Sequence, residues 1–159
     1  MEKTKSDLTK KLVKSLINNN LKIAFAESIT GGLLASEIIS IPDASKVIEE
    51  SFVVYSAKAK QKILDCKSTT IEKYSVYSFE VVREMLKGLR KLSGADILVS
   101  VSGIAGPSVD FDKKIGEVFF AIEYKDKVYQ KKLNLSGNRN EIRKKSLDKI
   151  FTEILNLLQ

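Results

Sequence analysis

The chain has 159 residues, 43% of them hydrophobic and 30% charged, with a formal charge of +7. That length suits one domain, residues 1–159, with a real hydrophobic core. It holds no histidine and one cysteine, Cys66, which excludes an internal disulfide, a Ser-His-Asp or Cys-His catalytic set and the usual zinc sites.

Leu8, Leu12, Val13, Leu16 and Ile17 recur at helical spacing and predict an amphipathic first helix, ended by Asn18-Asn19-Asn20. Leu21, Ile23 and Phe25 then alternate with shorter or polar residues, the period of a strand. The stretch Ala26-Glu27-Ser28-Ile29-Thr30-Gly31-Gly32 follows as a strand-to-helix corner, and a helix of about three turns is expected from Leu33 towards Pro42. A short helix over 44–50, a second strand over 51–55 and a helix over 57–64 come next. Ser68 or Thr69 is placed to cap a short segment reaching Tyr74. Ser78 is placed to cap a long amphipathic helix ended by Gly94. The apolar run 97–101 reads as a central strand, and a loop over 102–115 carries Gly103, Gly106 and Pro107. Strands over 116–124 and 127–135 share the turn Lys125-Asp126, and a last amphipathic helix follows the polar corner 136–140. Strands alternating with helices, then a hairpin and a closing helix, predict a three-layer α/β/α domain with a mixed sheet, mostly parallel with one antiparallel strand from the C-terminal hairpin.

No apolar run approaches the ~20 residues of a membrane span, and the first residues lead into an amphipathic helix, not a signal core. With one cysteine, the expectation is a cytoplasmic protein. The 27 basic residues are scattered among 20 acidic ones, which favours a solvated surface or a small anionic substrate over nucleic acid.

In open α/β sheets ligands collect beyond the carboxyl ends of parallel strands. There the chain places Glu27-Ser28, Tyr55-Ser56 and Ser102-Gly103, with Lys60 five positions past Tyr55. Without histidine, a serine nucleophile needs another base. A lysine of lowered pKa can serve, and a tyrosine beside an ammonium can relay a proton. Backbone N–H groups at Gly31-Gly32 or Ser102-Gly103 could receive an oxyanion. The plainer alternatives are that Thr30 or Ser28 caps a helix, Tyr55 packs at a strand end and Lys60 is solvated. Asp110 and Asp112 could hold Mg²⁺ or simply face water; no metal and no cofactor are expected.

The corner 26–32, Phe52-Val53-Val54-Tyr55-Ser56, Val101-Ser102-Gly103-Ile104-Ala105-Gly106-Pro107, Lys114-Ile115-Gly116 and Ser136-Gly137-Asn138-Arg139 together resemble the CinA C-terminal domain family of competence- and damage-inducible proteins. The resemblance runs nearly end to end. It implies an α/β/α sandwich on a five-stranded mixed sheet, assembled as a homodimer or higher homo-oligomer. It further implies conversion of nicotinamide mononucleotide to nicotinic acid mononucleotide and ammonia, in pyridine-nucleotide recycling. By position it assigns catalysis to Ser28, Tyr55 and Lys60 and a substrate or oxyanion contact to Ser102; Glu27, Thr30, Gly31, Gly32 and Gly103 around these positions, and Arg139 for the substrate's phosphate, complete the candidate substrate contacts. The chain departs from the family's usual pattern at Ala57, commonly Asn, at Lys58, commonly acidic, at Phe79, often Glu, at Asn138, usually Asp, and over the loop 108–112. These departures keep a second expectation open: a catalytically altered or inactive member that binds nucleotide or a partner. A basic nucleic-acid-binding module is the third.

Overall fold

The computed structural model describes residues 2–109 and 112–159, with residues 2–6 described by their backbone alone. Asp110 and Phe111, and so half of the Asp110/Asp112 pair, lie outside the described residues. In chain order the elements are α1 (Glu2–Asn18), β1 (Ile23–Glu27), α2 (Leu33–Ile39), a 3-10 turn (Ala44–Lys46), β2 (Phe52–Val53), α3 (Ala57–Leu64), α4 (Ser68–Tyr74), α5 (Phe79–Leu92), β3 (Ile97–Gly103), β4 (Glu117–Tyr124), β5 (Lys127–Asn134) and α6 (Arg139–Leu157). The five strands form one sheet in the order β2-β1-β3-β4-β5. β1 runs parallel to β2 and β3, and β4 runs antiparallel to its neighbours β3 and β5. The three-layer α/β arrangement with a five-stranded mixed sheet is therefore the one expected. No described helix is long and apolar enough to cross a membrane.

The two faces of the sheet differ in bulk. Towards α1, α2 and α6 the strands send Ile23, Phe25, Val99, Val101, Phe120 and Ile122. Towards α3, α4 and α5 the central strands β1 and β3 send Ala24, Ala26 and Leu98, and β4 sends Phe119 and Ala121. All of β1 is buried, so the shorter residues that look like a solvent face in the sequence are instead the seat for α5. That helix comes close enough for Ser100 Oγ to donate to the Val82 carbonyl at 2.6 Å. It also meets α3 at Gly88, where an added Cβ would lie 2.1 Å from the Leu64 carbonyl oxygen.

Several element ends differ from the sequence reading for local reasons. α2 stops at Ile39, with Ser40 as its C-cap, and is shorter than expected. β2 pairs over Phe52–Val53 only, because the next carbonyls turn to a side chain described below. α4 begins with Ser68 inside the helix and no side-chain cap. α5 starts as expected, Ser78 Oγ accepting from the Val81 N–H at 3.2 Å, but ends on an extended Ser93 before Gly94 is reached. Lys125 and Asp126 adopt φ of 51° and 61°, the left-handed pair that a two-residue hairpin needs. Asn138 caps α6 in a reciprocal box with Glu141, so asparagine at this position keeps the helix start intact.

Intrinsic propensity favours alanine over glycine inside a helix by about 1 kcal/mol. At Gly88 the contact with Leu64 opposes this, and overpacking of that kind costs about 1–3 kcal/mol. Gly88→Ala is expected to lower the urea midpoint, while Gly94→Ala, whose Cβ meets nothing within 4 Å, leaves it nearly unchanged. A gain in stability at Gly88 would overturn the close α3–α5 contact.

Candidate active site

Ser28 stands just past the end of β1, and α3 brings a lysine to it. Ser56 caps α3, its Oγ accepting from the Ala59 N–H at 3.0 Å. One turn in, Lys60 points back under the strand ends and is only 1% exposed. Its Nζ donates to Ser28 Oγ at 2.9 Å, to the Val54 carbonyl at 2.9 Å and to the Tyr55 carbonyl at 3.1 Å. Burial pushes the Lys60 amine from 10.5 down to about 8. Cys66 opposes that shift only as a thiolate. Burial pushes the Cys66 thiol up to about 12, so it is neutral where Lys60 titrates. Lys58 is exposed; it is desolvation, not that second charge, that lowers Lys60.

Ser28, Lys60 and Tyr55 line one cavity of about 350 Å³, together with Val76, Tyr77, residues 103–108 and Arg139. Among the described residues the lining carries one amine and one guanidinium and no carboxylate. The Tyr55 side chain is not on Lys60. Its hydroxyl accepts from Arg139 Nη2 at 2.7 Å, while Arg139 Nη1 donates to the Gly106 carbonyl at 2.7 Å. Tyr55 therefore serves the lysine through its carbonyl, and its ring and Arg139 together form the rim.

Of the positions expected to touch substrate, Gly103 and Arg139 line the cavity, whereas Glu27, Thr30, Gly31, Gly32 and Ser102 do not. Glu27 is fully buried, and its carboxylate accepts from the N–H groups of Leu34 at 2.9 Å and Ala35 at 3.1 Å. It is Glu27, and not Thr30 or Ser28, that caps α2, so those N–H groups are closed to a ligand. Thr30 Oγ1 and Ser102 Oγ are buried without a hydrogen-bond partner among the described residues. The Gly31 N–H closes a turn on the Ser28 carbonyl at 3.0 Å, while the N–H groups of Ile29, Thr30 and Gly32 have no acceptor among the described residues; of these three residues Ile29 lines the cavity. No group of three or more His, Cys, Asp or Glu among the described residues could hold a metal. Phe79 packs edge-on against Phe119, ring centroids 5.1 Å apart.

Val76, Tyr77 and Arg143 escaped the sequence reading. Arg143 donates to the carbonyls of Ile29 and Thr30, each at 3.0 Å. The available signal was its spacing of four from Arg139 on one helix, which puts both on one face. Val76 and Tyr77 sit in an irregular connection, where no periodicity marks a direction.

The arrangement sets a serine hydroxyl within hydrogen-bond reach of a buried amine, beside a backbone N–H without an acceptor among the described residues and an arginine at the rim, the groups that a serine with an amine base would use. The family described as CinA C-terminal domain matches residues 5–158. A CinA-like protein of Petrotoga mobilis is 42% identical over 145 residues, covering 91% of this chain and 36% of that protein. The chain thus spans about a third of the length of the curated relatives it matches. Among solved structures, the competence or damage-inducible protein from Enterobacter asburiae superposes with a TM-score of 0.94 at 30% identity, covering 98% of each chain. A competence-damaged protein (CinA) superfamily protein from Escherichia coli superposes with a TM-score of 0.92 at 30% identity, covering 96% of this chain and 90% of the other.

An amine is a base only once deprotonated, so Ser28 reactivity is expected to fall about tenfold per pH unit below the Lys60 pKa and to level off above it. Labelling of Ser28 by an organophosphorus fluoride, followed by intact mass, is expected to be half-maximal near pH 8. Lys60→Arg is expected to slow it about 10²-fold or more. A midpoint that does not depend on Lys60 would remove the lysine as base.

Proposed function

The chain belongs to the CinA C-terminal domain family, and from that premise we propose that it is an amidohydrolase that deamidates nicotinamide mononucleotide to nicotinic acid mononucleotide and ammonia. The observation that carries the reading is the 2.9 Å contact between Lys60 Nζ and Ser28 Oγ in a buried setting, in a chain without histidine.

Neutral Lys60 takes the hydroxyl proton as Ser28 Oγ attacks the carboxamide carbon. The carbonyl π pair moves to oxygen, and the Ile29 N–H, without an acceptor among the described residues, is proposed to receive it. Collapse breaks the C–N bond, and Lys60 returns its proton to the departing nitrogen, releasing ammonia. Water then attacks the acyl-enzyme with Lys60 again as base, restoring the serine and releasing the carboxylate. The phosphate of the substrate is assigned to Arg139 at the rim, through charge-assisted hydrogen bonds. We further propose a cytoplasmic homodimer or higher homo-oligomer acting in pyridine-nucleotide recycling.

One observation favours a second reading, a domain that binds nucleotide without turning it over. Lys60 meets three acceptors with its three N–H groups, the complement that a permanently charged structural lysine would want. Ammonia release from nicotinamide mononucleotide at pH 8.5–9 separates the two. The wild type is expected to release ammonia, and Ser28→Ala to lose about 10³-fold or more of that rate. Equal background release from both proteins would leave the binding reading. Arg139→Ala is expected to raise KM about tenfold for the mononucleotide but not for the phosphate-free nucleoside. An equal rise for both would take the phosphate away from Arg139.

A further inference from the structure

The corner that carries Ser28 is held to α6 by one guanidinium, and the hold continues through two peptide planes into the cavity. Arg143 Nη2 donates to the Thr30 carbonyl at 3.0 Å and Nε to the Ile29 carbonyl at 3.0 Å, while Nη1 rests on Asn140 Oδ1 at 3.1 Å. A trans peptide points its N–H away from its C=O. Fixing the Thr30 carbonyl towards α6 therefore aims the Gly31 N–H the other way, where it meets the Ser28 carbonyl at 3.0 Å. Fixing the Ser28 carbonyl in turn aims the Ile29 N–H away from it. That last N–H has no acceptor among the described residues, and Ile29 is 5% exposed and lines the cavity.

Gly31 makes the arrangement possible. Its φ of +57° suits glycine, and a Cβ there would sit 3.2 Å from Arg143 Nη2. A buried donor without a partner is costly in a resting fold, and a positive group at the far end of a hydrogen-bonded chain polarises each bond along it.

We infer that Arg143 is a positioning residue: through the 30–31 and 28–29 peptides it orients and polarises the Ile29 N–H to receive the oxyanion formed when Ser28 attacks. This rests on the serine mechanism proposed above. Arg143 touches no substrate atom; it acts through the backbone.

The test uses Arg143→Met, Arg143→Lys and Gly31→Ala, each checked by thermal unfolding. Two rates are read: ammonia release, resolved into kcat and KM, and labelling of Ser28 by an organophosphorus fluoride across pH. Deleting an oxyanion donor outright costs about 10²–10³-fold in kcat, and misaiming one is expected to cost about 10- to 100-fold. Folded Arg143→Met is expected to lose that much kcat and labelling rate with KM within about twofold, and to keep its labelling midpoint near pH 8 because Lys60 is untouched. Arg143→Lys, able to reach one carbonyl, is expected to recover part. Gly31→Ala, whose Cβ would lie 3.2 Å from the guanidinium at a φ of +57°, is expected to follow Arg143→Met, and Arg143→Lys decides the matter if Arg143→Met does not fold. Unchanged kcat and labelling in a folded variant overturn the inference; so does a shifted midpoint, which would mean general disturbance of the site. Labelling needs no nucleotide. If the wild type labels at Ser28 yet releases no ammonia, the substrate assignment falls and the labelling rates alone decide on Arg143. If the wild type does not label at Ser28, the inference falls whatever the ammonia assay returns.

Discussion

Withdrawing an amine from water is expensive, and the fold around Lys60 is shaped to offset that cost without cancelling its effect. A carboxylate beside Lys60 would stabilise the ammonium and raise its pKa, removing a usable base near neutral pH. The surroundings offer neutral acceptors instead: two main-chain carbonyls and the serine hydroxyl. They satisfy the N–H groups while desolvation still sets the pKa. This accounts for the shortness of β2. The Val54 N–H remains on the Glu27 carbonyl at 2.8 Å, but the carbonyls of Val54 and Tyr55 serve Lys60 instead of extending a ladder. The strand ends where the site begins. Cys66, sealed in the same layer, contributes bulk and no charge.

The side chains next to the nucleophile in sequence hold the corner, and the groups that line the cavity come from elsewhere. Glu27 fixes α2 from below through two N–H groups, and Arg143 fixes the same turn from α6 through two carbonyls. The opposite polarities suit the opposite needs: the N-terminal donors of α2 take a carboxylate, and the carbonyls of the turn take a guanidinium. With both sides held, the turn keeps the Ile29 N–H, the one of its acceptor-free N–H groups whose residue lines the cavity, without a protein partner among the described residues. The small residues on the α5 face of the sheet serve the same end, since they let α5 and α3 lie close and carry Lys60 under the strand ends.

Much of this was readable in the sequence because it is periodic. Apolar spacing marked α1, α5, α6, β3 and the hairpin, and the absence of histidine directed attention to a lysine base. Lys60 was placed correctly because five positions past a strand end is about one turn into the next helix. Contacts between residues distant in sequence left no such mark. Proximity to Ser28 suggested substrate contact for Glu27, Thr30, Gly31 and Gly32, yet at a tight turn neighbouring side chains point in different directions. Ser102 was chosen for its motif and lies buried off the cavity. The phenol of Tyr55 was expected near the amine; the partner it found, Arg139, is 84 residues away. The cap of α2 was missed because capping rules look to Ser, Thr, Asp or Asn immediately before the helix, and here a longer side chain reaches forward from the preceding strand.

The charges of the site impose one more condition on any substrate. A phosphate close to Lys60 would raise the amine's pKa by attraction and weaken the base as the substrate arrived. For the proposed deamidation, an anionic substrate would therefore have to keep its charge away from its reacting amide. The cavity is polarised in that sense, with the buried amine at the Ser28 end and Arg139 at the rim, tied to Tyr55 and to the Gly106 carbonyl. A nucleotide whose ribose separates phosphate from carboxamide meets this condition, whereas a short amide bearing an adjacent anionic group does not. Under the proposed mechanism, the separation that protects the base also excludes compact acidic amides, so reactivity and selectivity would follow from the same arrangement of one buried amine and one guanidinium at the rim.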